Sequence, residues 1–103
     1  MAAYLVRVEL FGNATWHIYD QLHAAMERKG FAKTLTIHNG TVYDLPTATY
    51  YRETQADIAS ITNEAKRAAD SVWRNNGLIA TQAGAILVDG LKVHSSGRRF
   101  GYG

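Results

Sequence analysis

The chain contains no cysteine, which excludes disulfides, thiolate metal sites and cysteine nucleophiles and makes a reducing cytoplasm the expected compartment. It has a single proline, Pro46. No apolar run approaches the ~20 residues that span a bilayer, so no membrane partner is expected. The start, Met1-Ala2-Ala3-Tyr4-Leu5-Val6-Arg7, lacks the basic and apolar stretches of a signal peptide. Charge of one sign is scarce too: eleven Lys and Arg against nine Asp and Glu leave a net +2, too mild by itself to diagnose nucleic-acid binding. Two of the cations, Arg98 and Arg99, fall at the C-terminus, so the remainder is close to neutral. No phosphate-binding glycine loop, nucleophile elbow or zinc-protease motif occurs, and no cofactor is expected. The histidines lack the HxH or HxxxH spacing that sets two ligands on one face, so no metal is expected either.

What is present suits one folded unit. Across 103 residues, 47% are hydrophobic and 19% charged, the balance of a single globular domain. Residues 1–94 carry the periodic patterns, and 95–103 read as a flexible tail.

Tyr4 to Leu10 alternates, with Tyr4, Val6, Val8 and Leu10 on one face and Leu5, Arg7 and Glu9 on the other, the period of a half-buried strand. Thr15 is placed to cap a helix opening at Trp16, whose apolar stripe is Trp16, Tyr19, Leu22, His23 and Met26. Gly30 supplies its left-handed terminator. Phe31 to His38 reads as a second strand. Asn39-Gly40 predicts a two-residue type I′ hairpin that pairs His38 with Thr41, Ile37 with Val42 and Thr36 with Tyr43. Pro46 bends the third strand, which resumes over Thr47 to Glu53. Thr54 to Asp57 predicts a capping box. Behind it Ile58, Ile61, Ala65, Ala68, Ala69 and Val72 form the stripe of a second helix. Leu78 to Gln82 makes the fourth strand, and Ile86 to Val93 reads as an added edge strand or short hairpin.

The order strand–helix–strand–strand–helix–strand predicts an α+β, ferredoxin-like βαββαβ fold: a four-stranded antiparallel sheet, with two helices on one face and the other face open. In the register above, Leu5, Arg7, Glu9, Thr34, Thr36, His38, Thr41 and Tyr43 share that open face. Arg7 and Tyr43 there would combine a phosphate contact with a stacking ring. An ordinary polar face, or one buried by a second subunit, accounts for the same pattern. Of the four histidines, His23 reads as a satisfied core or boundary residue, His17 as a solvated neighbour of Trp16, and His94 as a residue bordering the tail. His38, at the hairpin end, is the one placed to exchange protons near neutral pH. Glu9 and Asp44 would serve a magnesium ion only if the fold brought them together, and pairing of Glu9 with a nearby cation is the simpler reading.

Trp16-His17-Ile18-Tyr19, Leu22-His23-Ala24-Ala25-Met26, Gly30-Phe31, Tyr43-Asp44-Leu45-Pro46-Thr47-Ala48-Thr49-Tyr50 and Ala65-Lys66-Arg67-Ala68-Ala69-Asp70 together resemble the GhoS-type endoribonuclease antitoxins of type V toxin–antitoxin systems and their bacterial and phage relatives. The resemblance spans roughly residues 1–93, and its matched positions are mainly core positions. It implies a ferredoxin-like fold and an antitoxin that cuts the messenger RNA of a small membrane-active toxin.

On that basis RNA is the expected partner, bound or cleaved without a metal, with the ribose 2′-hydroxyl as nucleophile. His38 is the candidate for proton transfer, Arg7 and Arg52 for phosphate charge, and Tyr43 or Tyr50 for base stacking. Arg28, Lys29 and Lys33 extend an electrostatic track. The alternative is a non-catalytic protein-interaction module, phage-borne and homodimeric, with Leu5, Tyr43 and Leu45 at its interface.

Overall fold

A computed structural model describes residues 1–95; the rest of the expected tail, 96–103, lies outside the described residues. The first strand, β1 (Ala2–Leu10), follows its alternation: Tyr4, Val6, Val8 and Leu10 are buried. It pairs antiparallel with β4 (Thr49–Thr54) on one side and β5 (Asn76–Ala83) on the other, giving a three-stranded sheet of order β4-β1-β5. Val6 sits opposite both Tyr50 and Ala80. Tyr50 and Arg52 therefore share the Val6 face, whereas Thr49 and Tyr51 share the Leu5–Arg7 face.

Two helices, α1 (Trp16–Arg28) and α2 (Ile58–Val72), cover the Val6 face. Leu22, Ala25 and Met26 of α1 and Ile61, Ala65, Ala68 and Ala69 of α2 join Val6, Val8, Phe31 and Tyr50 in one core cluster. Alanines on α2 leave its backbone close to the sheet, and each large apolar side chain buried here contributes about 1.5–3 kcal/mol. The helix ends differ in detail from expectation. Thr15 holds the N-cap of α1, but its hydroxyl makes no capping bond. Trp16 is 75% exposed, so it stands outside the buried stripe, with its ring edge-on to His17 at 5.7 Å. Asp57, not Thr54, is the N-cap of α2, accepting from the Ser60 N–H at 2.8 Å. Thr54 instead accepts from the Ala56 N–H at 3.2 Å. At the far end of α2, Asn76 donates to the Trp73 carbonyl at 2.6 Å and to Asp70 at 2.9 Å, which turns the chain directly into β5.

The hairpin departs most from the sequence reading. β2 (Thr34–Thr36) and β3 (Val42–Asp44) pair only with each other as named strands, in a separate two-stranded sheet. Their register is Thr36 opposite Val42 and Leu35 opposite Tyr43, one residue off the expected pairing. Only Gly40, at φ 89°, takes a left-handed conformation in this turn, so the I′ geometry, which needs two such residues, is not formed. The Ile37 N–H donates to the Thr41 carbonyl and the Gly40 N–H to the Ile37 carbonyl, both at 2.9 Å, closing a longer loop over His38–Gly40. The shift moves Tyr43 to the side of Leu35, away from Thr34 and Thr36.

A bend at Lys33 precedes β2, leaving a single Ala32–Tyr51 bridge to the main sheet. Leu35 is buried, yet outside the helix-side core. It lines a cavity with Leu5, Leu45, Ile86 and Leu91, so the face expected to be open is covered at its Leu5 end. The Ile86–Val93 segment forms no regular strand. It docks on β3 through a Tyr43–Val93 bridge, with the His94 N–H donating to the Val42 carbonyl at 2.8 Å.

Pro46 and Thr49 close a turn, the Thr49 N–H donating to the Pro46 carbonyl at 2.9 Å. Inside it Ala48 is buried at φ 62°, the one non-glycine residue with positive φ among the described residues. Its carbonyl is pinned by the Val8 N–H at 2.9 Å, which holds a conformation that costs an L-residue about 1–2 kcal/mol. Ala48→Val should therefore lower stability by ~2 kcal/mol or more, through the strain of a branched side chain and overpacking. Ala48→Gly should be tolerated; equal stability of the two variants in thermal melts would show that the turn is not strained.

Candidate functional site

The strained turn forms one wall of a cavity of about 330 Å³. Four charged or ionisable side chains reach it from separate parts of the chain: His23 from α1, Lys33 from the bend before β2, Asp44 from the end of β3, and His94 from the docked C-terminal segment.

His23 is half-buried, and its Nδ1 lies 2.7 Å from the Tyr50 hydroxyl. The Tyr50 ring stands edge-on to the imidazole, with centroids 5.9 Å apart. Burial, reinforced by the Lys33 charge and opposed by Asp20 and Glu27, holds the His23 pKa below its ordinary 6.5. The imidazole is therefore neutral at physiological pH, with Nδ1 engaged by Tyr50 and Nε2 left over. Burial also pushes the Tyr50 hydroxyl well above its usual range, with Glu27 and Tyr19 adding to the shift. Tyr50 thus stays a phenol and serves as a fixed hydrogen-bond partner.

The His23 shift has a consequence for stability. The unfolded chain takes up the His23 proton at higher pH than the fold does, so the stabilisation is complete above 6.5 and lost as pH falls toward the folded value. Urea melts between pH 8 and 5 should show this loss in the native chain, and His23→Gln should flatten that part of the curve.

His94 Nδ1 lies 2.7 Å from an Asp44 carboxylate oxygen, across 50 residues of sequence. A carboxylate only accepts, so Nδ1 carries the proton and Nε2 is the atom free to exchange one. The same segment is anchored by the Asp44 N–H donating to the Lys92 carbonyl at 2.9 Å, so backbone and side chain of Asp44 hold His94 together.

The residues singled out from sequence are dispersed. His38 lies exposed in the hairpin loop and lines neither cavity beside Arg7. Arg7 is exposed on the helix-free face, over a shallow cavity shared with Glu9, Phe11 and Ile79. Arg28 and Lys29 are exposed at the end of α1. Tyr43 is half-buried between the Leu35 and Val93 pairings. Tyr50 is fully buried, so its ring is closed to a stacking base; the even-numbered register of β4 turns it to the core. Arg52 shares that face, where its Nη1 donates to Glu64 at 2.7 Å and its guanidinium lies 5.2 Å from the Phe31 ring centre. It is engaged within the fold. Glu9 and Asp44 are not brought together, since Glu9 lines the Arg7 cavities and Asp44 holds His94.

Of the residues expected to contact RNA, Lys33 alone lines the cavity, together with Asp44 and Leu45, which the sequence had suggested for other roles. His23 was legible as a boundary residue, and it is one, but its contact with Tyr50 and its place on the cavity depend on neighbours that converge only in the fold. The Asp44–His94 pair carried no local signal. Among the described residues, no helix is long and apolar enough to cross a membrane. Comparison with protein-family models, with curated proteins and with solved structures finds no match to this chain.

Proposed function

We propose that this protein binds RNA and cleaves it by metal-independent transesterification in the His23–His94 cavity. The observation that carries the reading is the meeting of a neutral imidazole, a carboxylate-paired imidazole and a lysine in one cavity. This is the set that cleavage through a neighbouring hydroxyl requires: a proton acceptor, a proton donor and a cation.

In this scheme His23 is the tautomer whose Nδ1–H donates to the Tyr50 oxygen, so its Nε2 takes the proton of the ribose 2′-hydroxyl, whose oxygen forms a new bond to phosphorus. The bond from phosphorus to the 5′-oxygen breaks, and that oxygen receives a proton from Nε2 of His94, which enters the step as the imidazolium with its Nδ1–H on the Asp44 carboxylate. The products are a 2′,3′-cyclic phosphate and a 5′-hydroxyl. Lys33 balances the charge gathering on the phosphoryl oxygens. Tyr50 and Asp44 are positioning residues, each holding an Nδ1.

The resemblance to GhoS-type antitoxins supports RNA as substrate, with a toxin message in the cytoplasm as its cellular form. We read the architecture as a ferredoxin-like βαββαβ in which the bend at Lys33 frees the β2–β3 hairpin from the sheet, the Ala32–Tyr51 bridge keeping their original adjacency.

The test is cleavage of a short RNA beside the same strand carrying a single 2′-deoxynucleotide at the cut site. Cyclic-phosphate ends, and resistance of the substituted strand, are the expected results. The rate should fall with acid only below pH 6.5, because His23 protonates there. Intact RNA under these conditions would sink the reading.

A second reading, a homodimeric interaction module, is favoured by β5. This edge strand bears no charged side chain and carries Ile79 at 64% exposure, without the charges that usually guard an edge. Light scattering distinguishes the two: a stable dimer indifferent to RNA supports the module.

A further inference from the structure

Among the described residues β5 pairs with β1 alone, so one of its long sides is an open sheet edge. The end of the β1 pairing fixes which backbone groups lie on that side. The Phe11 N–H donates to the Asn75 carbonyl at 2.8 Å, one step beyond the Leu10–Asn76 pair. Bonded pairs alternate along an antiparallel ladder, so Glu9–Gly77, Arg7–Ile79 and Leu5–Thr81 are the bonded ones. The Val8 N–H agrees, since it turns the other way, to the Ala48 carbonyl. Leu78, Ala80 and Gln82 therefore direct their N–H and C=O groups outward, where no backbone partner meets them among the described residues. The Asn76 N–H, on the same side, is taken by the Arg74 carbonyl at 3.0 Å, which leaves the Asn76 carbonyl.

We infer that β5 pairs antiparallel with β5 of a second copy about a two-fold axis at Ile79, joining two three-stranded sheets into one. The inference rests on the interaction-module reading and gives it an interface. Both faces of the strand favour this axis. Leu78 then lies opposite Ala80 of the second copy, a large residue against a small one on the helix side, and their outward groups exchange hydrogen bonds. The Gln82 N–H meets the free Asn76 carbonyl. On the helix-free face Ile79, 64% exposed, meets Ile79 of the second copy in a non-bonded pair, where side chains come closest. An axis at Ala80 would instead set Leu78 against Gln82 and Ile79 against Thr81, apolar against polar on both faces.

A second copy is the occupant because the strand complements itself. No residue from Asn76 to Ala83 is charged, so a charged partner strand would leave its own charges unpaired. The area is sufficient too. The strand has 8 residues, about 26 Å at ~3.3 Å each. Because α2 packs against it, the edge is two layers, about 20 Å, deep. That presents about 500 Å² per copy and ~1,000 Å² in the pair, where specific contacts begin. The histidine cavity is lined by no residue of β5, so pairing is compatible with cleavage.

Sedimentation of the full chain between ~1 µM and ~1 mM should show a reversible dimer, the strength expected of an interface this small. Ile79→Lys sets like charges face to face on the axis and should weaken dimerisation by about tenfold or more. Ile79 is exposed, so this variant should fold. The absence of native cysteine permits a test of register. Ile79→Cys should form a linked dimer with oxidised glutathione, since the Cα atoms of a non-bonded pair lie ~4.5 Å apart. Thr81→Cys should not, because its Cα faces Gly77 and lies about 13 Å from its own counterpart. Equal linking of the two, or a dimer unchanged by Ile79→Lys, overturns the interface. A dimer that survives Ile79→Lys keeps the module on another surface, whereas a native chain still monomeric at ~1 mM removes both.

Discussion

His94→Ala is expected to lower the rate of RNA cleavage by ~10²–10⁴-fold, the usual contribution of a positioned proton donor or acceptor. Lys33→Ala should fall in the lower part of that range, since it removes a charge and leaves both proton-transfer groups in place. Neither change should move the melting temperature much, because the His94 side chain is 40% exposed and Lys33 is exposed. A loss of activity without a loss of fold is therefore the signature to look for. Asp44→Asn should cost less than His94→Ala and should change the shape of the pH–rate profile, since the amide can still hold the ring but supplies no balancing charge and accepts either tautomer. His38→Ala and Arg7→Ala should leave cleavage close to native. A cleaving enzyme indifferent to His94 and Lys33, yet disabled at His38, would move the chemistry to the hairpin.

The largest stability effect should come from Phe31→Ala, at ~3–5 kcal/mol. Phe31 is fully buried where α1 ends, in the cluster with Met26, Tyr50 and Ile61. Its N–H donates to the Met26 carbonyl at 3.0 Å, so the ring enters the core directly after the Gly30 terminator at φ 86°. The Arg52 guanidinium lies 5.2 Å from its centre and would lose that face as well as a packed neighbour. Phe31→Leu, which retains most of the volume, should cost less than half as much. Urea melts measure both. A loss below about 1 kcal/mol for the alanine variant would mean that the end of α1 collapses into the space without penalty.

How far the sequence could be read depends on the range of the interaction involved. β1 is legible because alternation is local and one face meets a core: Tyr4, Val6, Val8 and Leu10 are the buried side chains. The α2 stripe is legible for the same reason, through Ile61, Ala65, Ala68 and Ala69. The hairpin was half legible. Its turn lies at Asn39-Gly40 as expected, but whether one or two of those residues take positive φ is a small local difference, and it shifts every cross-strand pair by one. That single step removed Tyr43 from the face assigned to it. Tyr50 and Arg52 were assigned no sheet face from the sequence; the Pro46–Thr49 turn gives β4 its own phase, which sets both on the core side.

The site was the least legible part. His23 meets Tyr50 across 27 residues, and His94 meets Asp44 across 50. No pattern of neighbouring residues encodes such meetings. The first follows from the packing of α1 on the sheet face that carries Tyr50, the second from the Tyr43–Val93 bridge that draws the C-terminal segment onto β3.

The absence of cysteine and the near balance of charge, together with the alternation of β1 and the alanine stripe of α2, are properties of the sequence alone. By local periodicity and composition they determined an α+β chain without disulfides. Tertiary structure alone decided which imidazoles share a cavity, which tyrosine is buried and which face is covered, because those depend on register and on contacts between distant segments.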